Sequence, residues 1–187
     1  MSELYQREKV LALLHEHTET ESLRHHAYAV EAAMRAAAER TGADVDYWGA
    51  VGLIHDFDYE KTPEPPAHPQ VGAGILRELG YPAEFVDTVL SHASYTGVPR
   101  ENDCAKWLFA VDELCGFCMA CAMVQPDRRI ASVKVKSVKK KLKKKDFAAK
   151  VNRDEIREGA EGLGVELDDL IEHVLGALSG ASDSLGL

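Results

Sequence analysis

Apolar residues recur along this chain at every third or fourth position, and strict alternation is nearly absent, so the pattern predicts an all-helical (all-α) protein. The expected helices cover about 3–16, 22–40, 44–57, 69–80, 82–94, 103–124, 127–145, 152–161 and 167–179. Ser22 is the expected N-cap of the second helix, and Gly42 stands just past its end. Pro69 suits the first turn of the fourth. KTPEPPAH (61–68), with three prolines, and SYTGVPREN (94–102) read as loops, and the tail SGASDSLGL reads as frayed. No internal repeat and no long linker divides the chain. The expectation is therefore one domain over 1–187, with a core at about 20–115 and a helical extension at about 126–180.

From Tyr47 to Ile54 the third expected helix carries no charge, so it reads as buried, with His55 and Asp56 at its inner end. A buried charge is costly unless it is paired or bound to a metal. The second helix has one stripe of Leu23, Ala27, Val30, Met34 and Ala37, opposite another of Arg24, Tyr28, Glu31, Arg35 and Glu39. His26 falls three after Leu23 and four before Val30, so it points inward, while His25 turns to the flank, a position for a supporting or substrate-contacting group. His92 shares a face with Phe85 and Val89, and Asp112 follows an apolar stretch. Taken singly, an inward histidine is more often a core residue, and Asp112 beside Glu113 suits a half-exposed helix. Nor does periodicity bring His55 and Asp56 to one point, because adjacent helical side chains diverge by about 100°.

Taken in order, HxxxV (His26, Val30), LIHDFDYEK (His55, Asp56), HPQVGAGILRELG (His68), VLSHASYTG (His92) and AVDEL (Asp112) resemble the HD superfamily of metal-dependent phosphohydrolases in its HDIG form. The resemblance implies that His26, His55, Asp56 and Asp112 hold one divalent ion. It also implies that His68 and His92 add a second ion bridged by Asp56. The same pattern resembles HD-GYP phosphodiesterases, symmetrical diadenosine tetraphosphate hydrolases and di-iron oxygenases related to inositol oxygenase. The usual HDIGK is HDFDYEK here, which moves the lysine to Lys61, and a GYP motif is absent, which argues against cyclic di-GMP cleavage.

Composition narrows the setting. The hydrophobic fraction of 45% and charged fraction of 28% suit a globular protein, and no apolar run is long enough for a membrane span. MSELYQREKVLALLHEH is charged throughout, unlike a signal peptide, so a cytoplasmic location is expected, with the four cysteines reduced. Cys115, Cys118 and Cys121 lie within one continuous apolar helix and read as core rather than as a zinc or iron–sulfur site. A net charge of −9 argues against a surface that coats nucleic acid. Eight lysines fall between 134 and 145, with Val135, Val138 and Leu142 at helical spacing. They read as the solvated face of an amphipathic helix, or as a positive rim that attracts an anionic substrate.

Imidazole and carboxylate ligands suit Fe, Mn, Co, Ni or Zn. The expectation is one or two divalent ions activating water against a nucleotide or other small phosphate ester, with Asp56 catalytic and Lys61, Arg100 and Lys106 as candidate phosphate contacts. Asp58 and Glu60 are candidate acid or base groups, although exposed loop carboxylates are the commoner case. The rival readings are a mixed-valence di-iron oxygenase with the same six ligands and a metal-stabilised regulatory protein without turnover. A homo-oligomer is left open.

Overall fold

The alanine-rich stripe of the second helix is the spine of the fold. In the computed structural model, which describes residues 3–187, α2 (Glu21–Thr41) buries Ala27, Ala29, Val30, Ala33, Met34, Ala37 and Ala38. Ahead of it, a 3-10 turn at Glu3–Tyr5 leads into α1 (Arg7–His17). Against it lie α3 (Val45–Ile54), α6 (Asp103–Met123) and α9 (Leu167–Gly180). Small residues let these helices approach closely. A Cβ added at Gly52 of α3 would stand 2.9 Å from the Val30 carbonyl oxygen, so the α2–α3 crossing depends on its absence.

The remaining elements complete an all-α bundle, with no strand among the described residues. They are α4 (Ala67–Glu78), α5 (Ala83–Leu90), α7 (Val135–Leu142), α8 (Arg153–Leu163) and α10 (Ser182–Leu185). Among the described residues, no helix is long and apolar enough to cross a membrane. Asn102 caps α6 by accepting from the Ala105 N–H at 2.8 Å. All four cysteines are free and buried, and burial pushes the Cys115 and Cys118 thiols well up, which keeps them protonated core groups.

Several local expectations are corrected. Ser22 does not cap α2; the helix begins a residue earlier, and the Glu60 carboxylate accepts from the N–H groups of Glu19 and Thr20 at 2.7 and 3.1 Å. Glu60 thus ties down the two residues that precede the helix, while the helix's first turn has no side-chain cap, and Glu60 is a loop tie rather than an acid–base group. Glu31 is buried rather than solvated, because Arg7 donates to it at 2.7 and 2.9 Å and Arg35 at 3.0 Å. The expected helix at 127–145 shrinks to Val135–Leu142, preceded by a 3-10 turn at Ile130–Ser132. The tail is not frayed: α10 packs on α2, with Leu185 buried.

Candidate metal centre

His55 and Asp56 sit where α3 ends, and this resolves the divergence that a regular helix would impose. The helix stops at Ile54, and residues 55–61 continue as tight turns, with Phe57 N–H donating to Ile54 O and Tyr59 N–H to Asp56 O. Thr18 anchors this turn by donating its hydroxyl to Phe57 O at 3.1 Å. His68 has extended backbone at the start of α4 (φ −79°, ψ 136°), which sets it off the helix that follows. His92 lies just past the end of α5, a helix four residues shorter at its C-terminal end than expected. Only His26 and Asp112 come from the bodies of helices, α2 and α6.

The six side chains converge. His26, His55 and Asp112 bring one ligand-type atom each within 4.8 Å of one another, and Asp56, His68 and His92 do the same. Asp56 faces both groups with different oxygens. Its Oδ2 lies 3.6 Å from His55 Nε2 and 4.0 Å from His26 Nε2, and its Oδ1 lies 3.3 Å from His68 Nε2 and 3.0 Å from His92 Nε2. On the other side Asp112 Oδ1 stands 3.0 Å from His26 Nε2 and 3.4 Å from His55 Nε2.

The imidazoles are held by their other nitrogens. His55 Nδ1 donates to Gly52 O at 2.8 Å, His92 Nδ1 to Val89 O at 2.6 Å, and His68 Nδ1 to Asp58 Oδ1 at 2.8 Å. A proton fixed on Nδ1 leaves the Nε2 lone pair turned toward the cluster, the usual support of a metal-ligating histidine. Asp58 is buried, and its second oxygen accepts from Gly72 N–H at 2.7 Å. It is therefore neither an exposed loop carboxylate nor an acid–base group.

Three observations fit a divalent cation. Two atoms bound about 2.1 Å from one ion, at right to tetrahedral angles, stand about 3.0–3.4 Å apart, and the His68 and His92 Nε2 atoms are 3.3 Å apart. His55 Nε2 and Asp56 Oδ1 are buried without a hydrogen-bond partner, a costly condition that an ion relieves. Charge points the same way. Burial opposes the imidazolium of His55, yet the Asp56 and Asp112 carboxylates outweigh it and raise its pKa to about 9. His68 is likewise raised to about 9 against burial, by the facing Asp56 carboxylate and by its hydrogen bond to Asp58. Burial opposes the Asp56 and Asp112 carboxylates too, but the surrounding imidazoles hold both well below the usual range. The pocket thus calls for positive charge, which two protons supply in the metal-free protein.

The cleft above the cluster has a volume of about 280 Å³ and is lined by further groups that sequence reading missed: Tyr59, Ser94, Tyr95, Glu113 and Glu155. Tyr95 donates to His68 O at 3.0 Å, and the Tyr59 ring meets the His68 ring edge-on at 5.2 Å. Burial and the neighbouring Asp112 raise Glu113 to about 7. Tyr59, Ser94, Tyr95 and Glu113 fall inside the motif stretches but not at their ligand positions, and Glu155 lies on α8, far along the chain from those motifs.

Other expected contacts are not brought to the cleft. Lys61 donates instead to Glu16 O at 3.1 Å, because the turn after Asp58 directs it toward α1. Lys106 lies beside Asp103 at 3.8 Å on an exposed face. The lysines of α7 line a separate groove with Val135 and Asp168, and none of them lines the cleft, so they do not form its rim. Arg100 stands behind the cleft wall, stacked 3.5 Å above the Phe109 ring with Nη2 donating to Ser94 Oγ at 2.9 Å. His25 lies away from the cluster, its ring beside Tyr28 and next to Gly186 of the tail.

The family model of the HD domain matches residues 23–114, a span that holds all six converging side chains. This segment is an HD domain. HD domains are generally metal-dependent phosphohydrolases, and the two His/Asp groups are suited to divalent metal ions. No curated protein and no solved structure matches the chain.

Proposed function

We propose that this protein is a metal-dependent phosphohydrolase for a small phosphate ester. The observation that carries the reading is the two-sided presentation of Asp56, one oxygen to each group of ligands. His26, His55 and Asp112 would hold one ion, His68 and His92 a second, and Asp56 would bridge them. A pair of divalent ions supplies Lewis acidity toward a phosphoryl oxygen and lowers the pKa of water to about 7. Manganese, iron, cobalt, nickel and zinc all suit this donor set.

The chain's own residues do the rest. Asp58, Gly52 O and Val89 O lock the imidazoles, so the ligand atoms need no rearrangement. Glu113, with its pKa raised to about 7, is the cleft group suited to hand a proton to the departing alcohol oxygen at neutral pH. One of its oxygens accepts from Asn152 N–H at 3.2 Å, which fixes the carboxyl at the wall. A cleft of about 280 Å³ suits a monoester better than a dinucleotide.

The same ligands would serve a di-iron oxygenase, so the test must separate the two. Purified protein is stripped, reloaded anaerobically with manganese, and offered a panel of phosphate monoesters and diesters. Phosphate release without oxygen, lost on Asp56→Ala, is expected. Activity that needs iron and consumes oxygen in proportion to product would replace the hydrolase by the oxygenase.

A further inference from the structure

We infer that Glu155, carried into the cleft by α8, selects substrates whose alcohol bears an ammonium group a few bonds from the phosphate. The inference rests on reading the cleft as a phosphate-ester site.

The first observation is the composition of the wall. The cleft is lined by four carboxyl groups, those of Asp56, Asp112, Glu113 and Glu155, and by no lysine or arginine. Asp56 and Asp112 belong to the ligand groups. Glu113 is held by Asn152 and suited to proton transfer. Glu155 has no such duty. Its Oε1 accepts from Ser94 Oγ at 3.2 Å, which orients the carboxylate without neutralising it. Arg100 lies behind Ser94, donating to its Oγ and stacking on Phe109; its charge reaches Glu155 across that serine, but it makes no direct ion pair with the carboxylate among the described residues.

The second observation is how Glu155 arrives. A Cβ added at Gly159 would lie 2.5 Å from Ala110 Cα, so α8 runs against α6 at a distance that only glycine permits. Glu155 sits one turn earlier on the same face, level with Asp112 and Glu113 of α6. The matched HD segment ends at residue 114, so this wall is supplied from outside it. Third, the floor itself calls for a ligand: His55 is fully buried, and its Nε2 faces the cluster without a partner.

Charge then divides the cleft. With two divalent ions bound, the floor carries a surplus of positive charge that suits a phosphate dianion. Beside the floor the wall offers the Glu155 carboxylate, and the exposed rings of Tyr59 and Tyr95 line the same cleft. A carboxylate and aromatic faces within one cleft favour a compact cation through ion pairing and cation–π attraction. The fitting class is a small zwitterion, a phosphate monoester whose alcohol carries a primary or quaternary amine a few bonds away.

The test measures binding as well as turnover. Manganese-loaded protein is titrated calorimetrically with three non-hydrolysable phosphonates of equal length: 3-aminopropylphosphonate, 3-hydroxypropylphosphonate and butylphosphonate. The amine is expected to bind about tenfold or more tightly than either neutral analogue. Glu155→Gln, checked for unchanged metal content and melting temperature, should bring the ratio near one. Equal affinities, a preference for the hydroxyl compound, no binding of any of the three, or a ratio unchanged in Glu155→Gln would each overturn the inference. Hydrolysis of phosphoethanolamine and ethyl phosphate is followed in parallel. A tenfold binding preference with no phosphate released from either ester would leave this inference standing and reject the hydrolase reading alone.

Discussion

Asp58 Oδ1 accepts the Nδ1 proton of His68 at 2.8 Å, two residues beyond the carboxylate that His68 faces with its other nitrogen. The turn after α3 therefore supplies both Asp56 and the group that aims its neighbour. Replacing Asp58 with alanine leaves that Nδ1 and the Gly72 N–H unpaired in a buried place. Metal affinity at the Asp56, His68 and His92 group should fall about 10–100-fold, and stability by about 1–3 kcal/mol. Competitive metal titration checks the first and denaturant unfolding the second. The His26, His55 and Asp112 group should keep its ion.

Metal uptake should be coupled to proton release. His55 and His68 have pKa values raised to about 9 in the metal-free protein, so at pH 7 both carry a proton. An ion needs the neutral imidazole. Binding therefore expels protons at neutral pH, and affinity rises as pH climbs toward about 9, then levels off. Calorimetry in two buffers of different ionisation enthalpy should show heats that differ in proportion, with the difference shrinking above pH 9. Buffer-independent heats at pH 7 would contradict the protonation states.

Gly159→Ala should destabilise the fold and misplace Glu155 together. The added methyl meets the Ala110 backbone, which cannot yield as a flexible side chain would. Overpacking of this kind costs about 1–3 kcal/mol, a fall in Tm of about 2–4 °C per kcal/mol for a chain of this size. Differential scanning calorimetry checks it.

Lys61→Ala should leave activity within about twofold, as befits a surface change away from the chemistry. The amine donates to a carbonyl of α1 and does not line the cleft. A loss of a hundredfold would restore it as a phosphate contact.

The limits of the sequence reading are physical. The all-α class and most helices were legible because a 3.6-residue period records which face is buried, as Val30 and Met34 of α2 illustrate. His26 and His92 were legible as inward residues for the same reason, and Asp112 only as a residue that follows an apolar stretch. His55, Asp56 and His68 lie at helix ends, where periodicity stops, so only resemblance joined them to the others as a set. Asp58 was singled out as an acid or base candidate rather than as the support of His68, and Glu155 was not singled out at all. One is defined by a bond to His68 and the other by a helix–helix approach through Gly159, and neither relation leaves a periodic trace.

The central claim is a pair of ions bridged by Asp56, and anomalous diffraction at the edge of the bound metal tests it most directly. Two peaks are predicted, about 3.5–4 Å apart, each with imidazole and carboxylate ligands at about 2.0–2.2 Å. Asp56 should touch both, His26, His55 and Asp112 one, and His68 and His92 the other. A single peak that leaves His68 and His92 without metal, or no peak within reach of Asp56, would contradict the account.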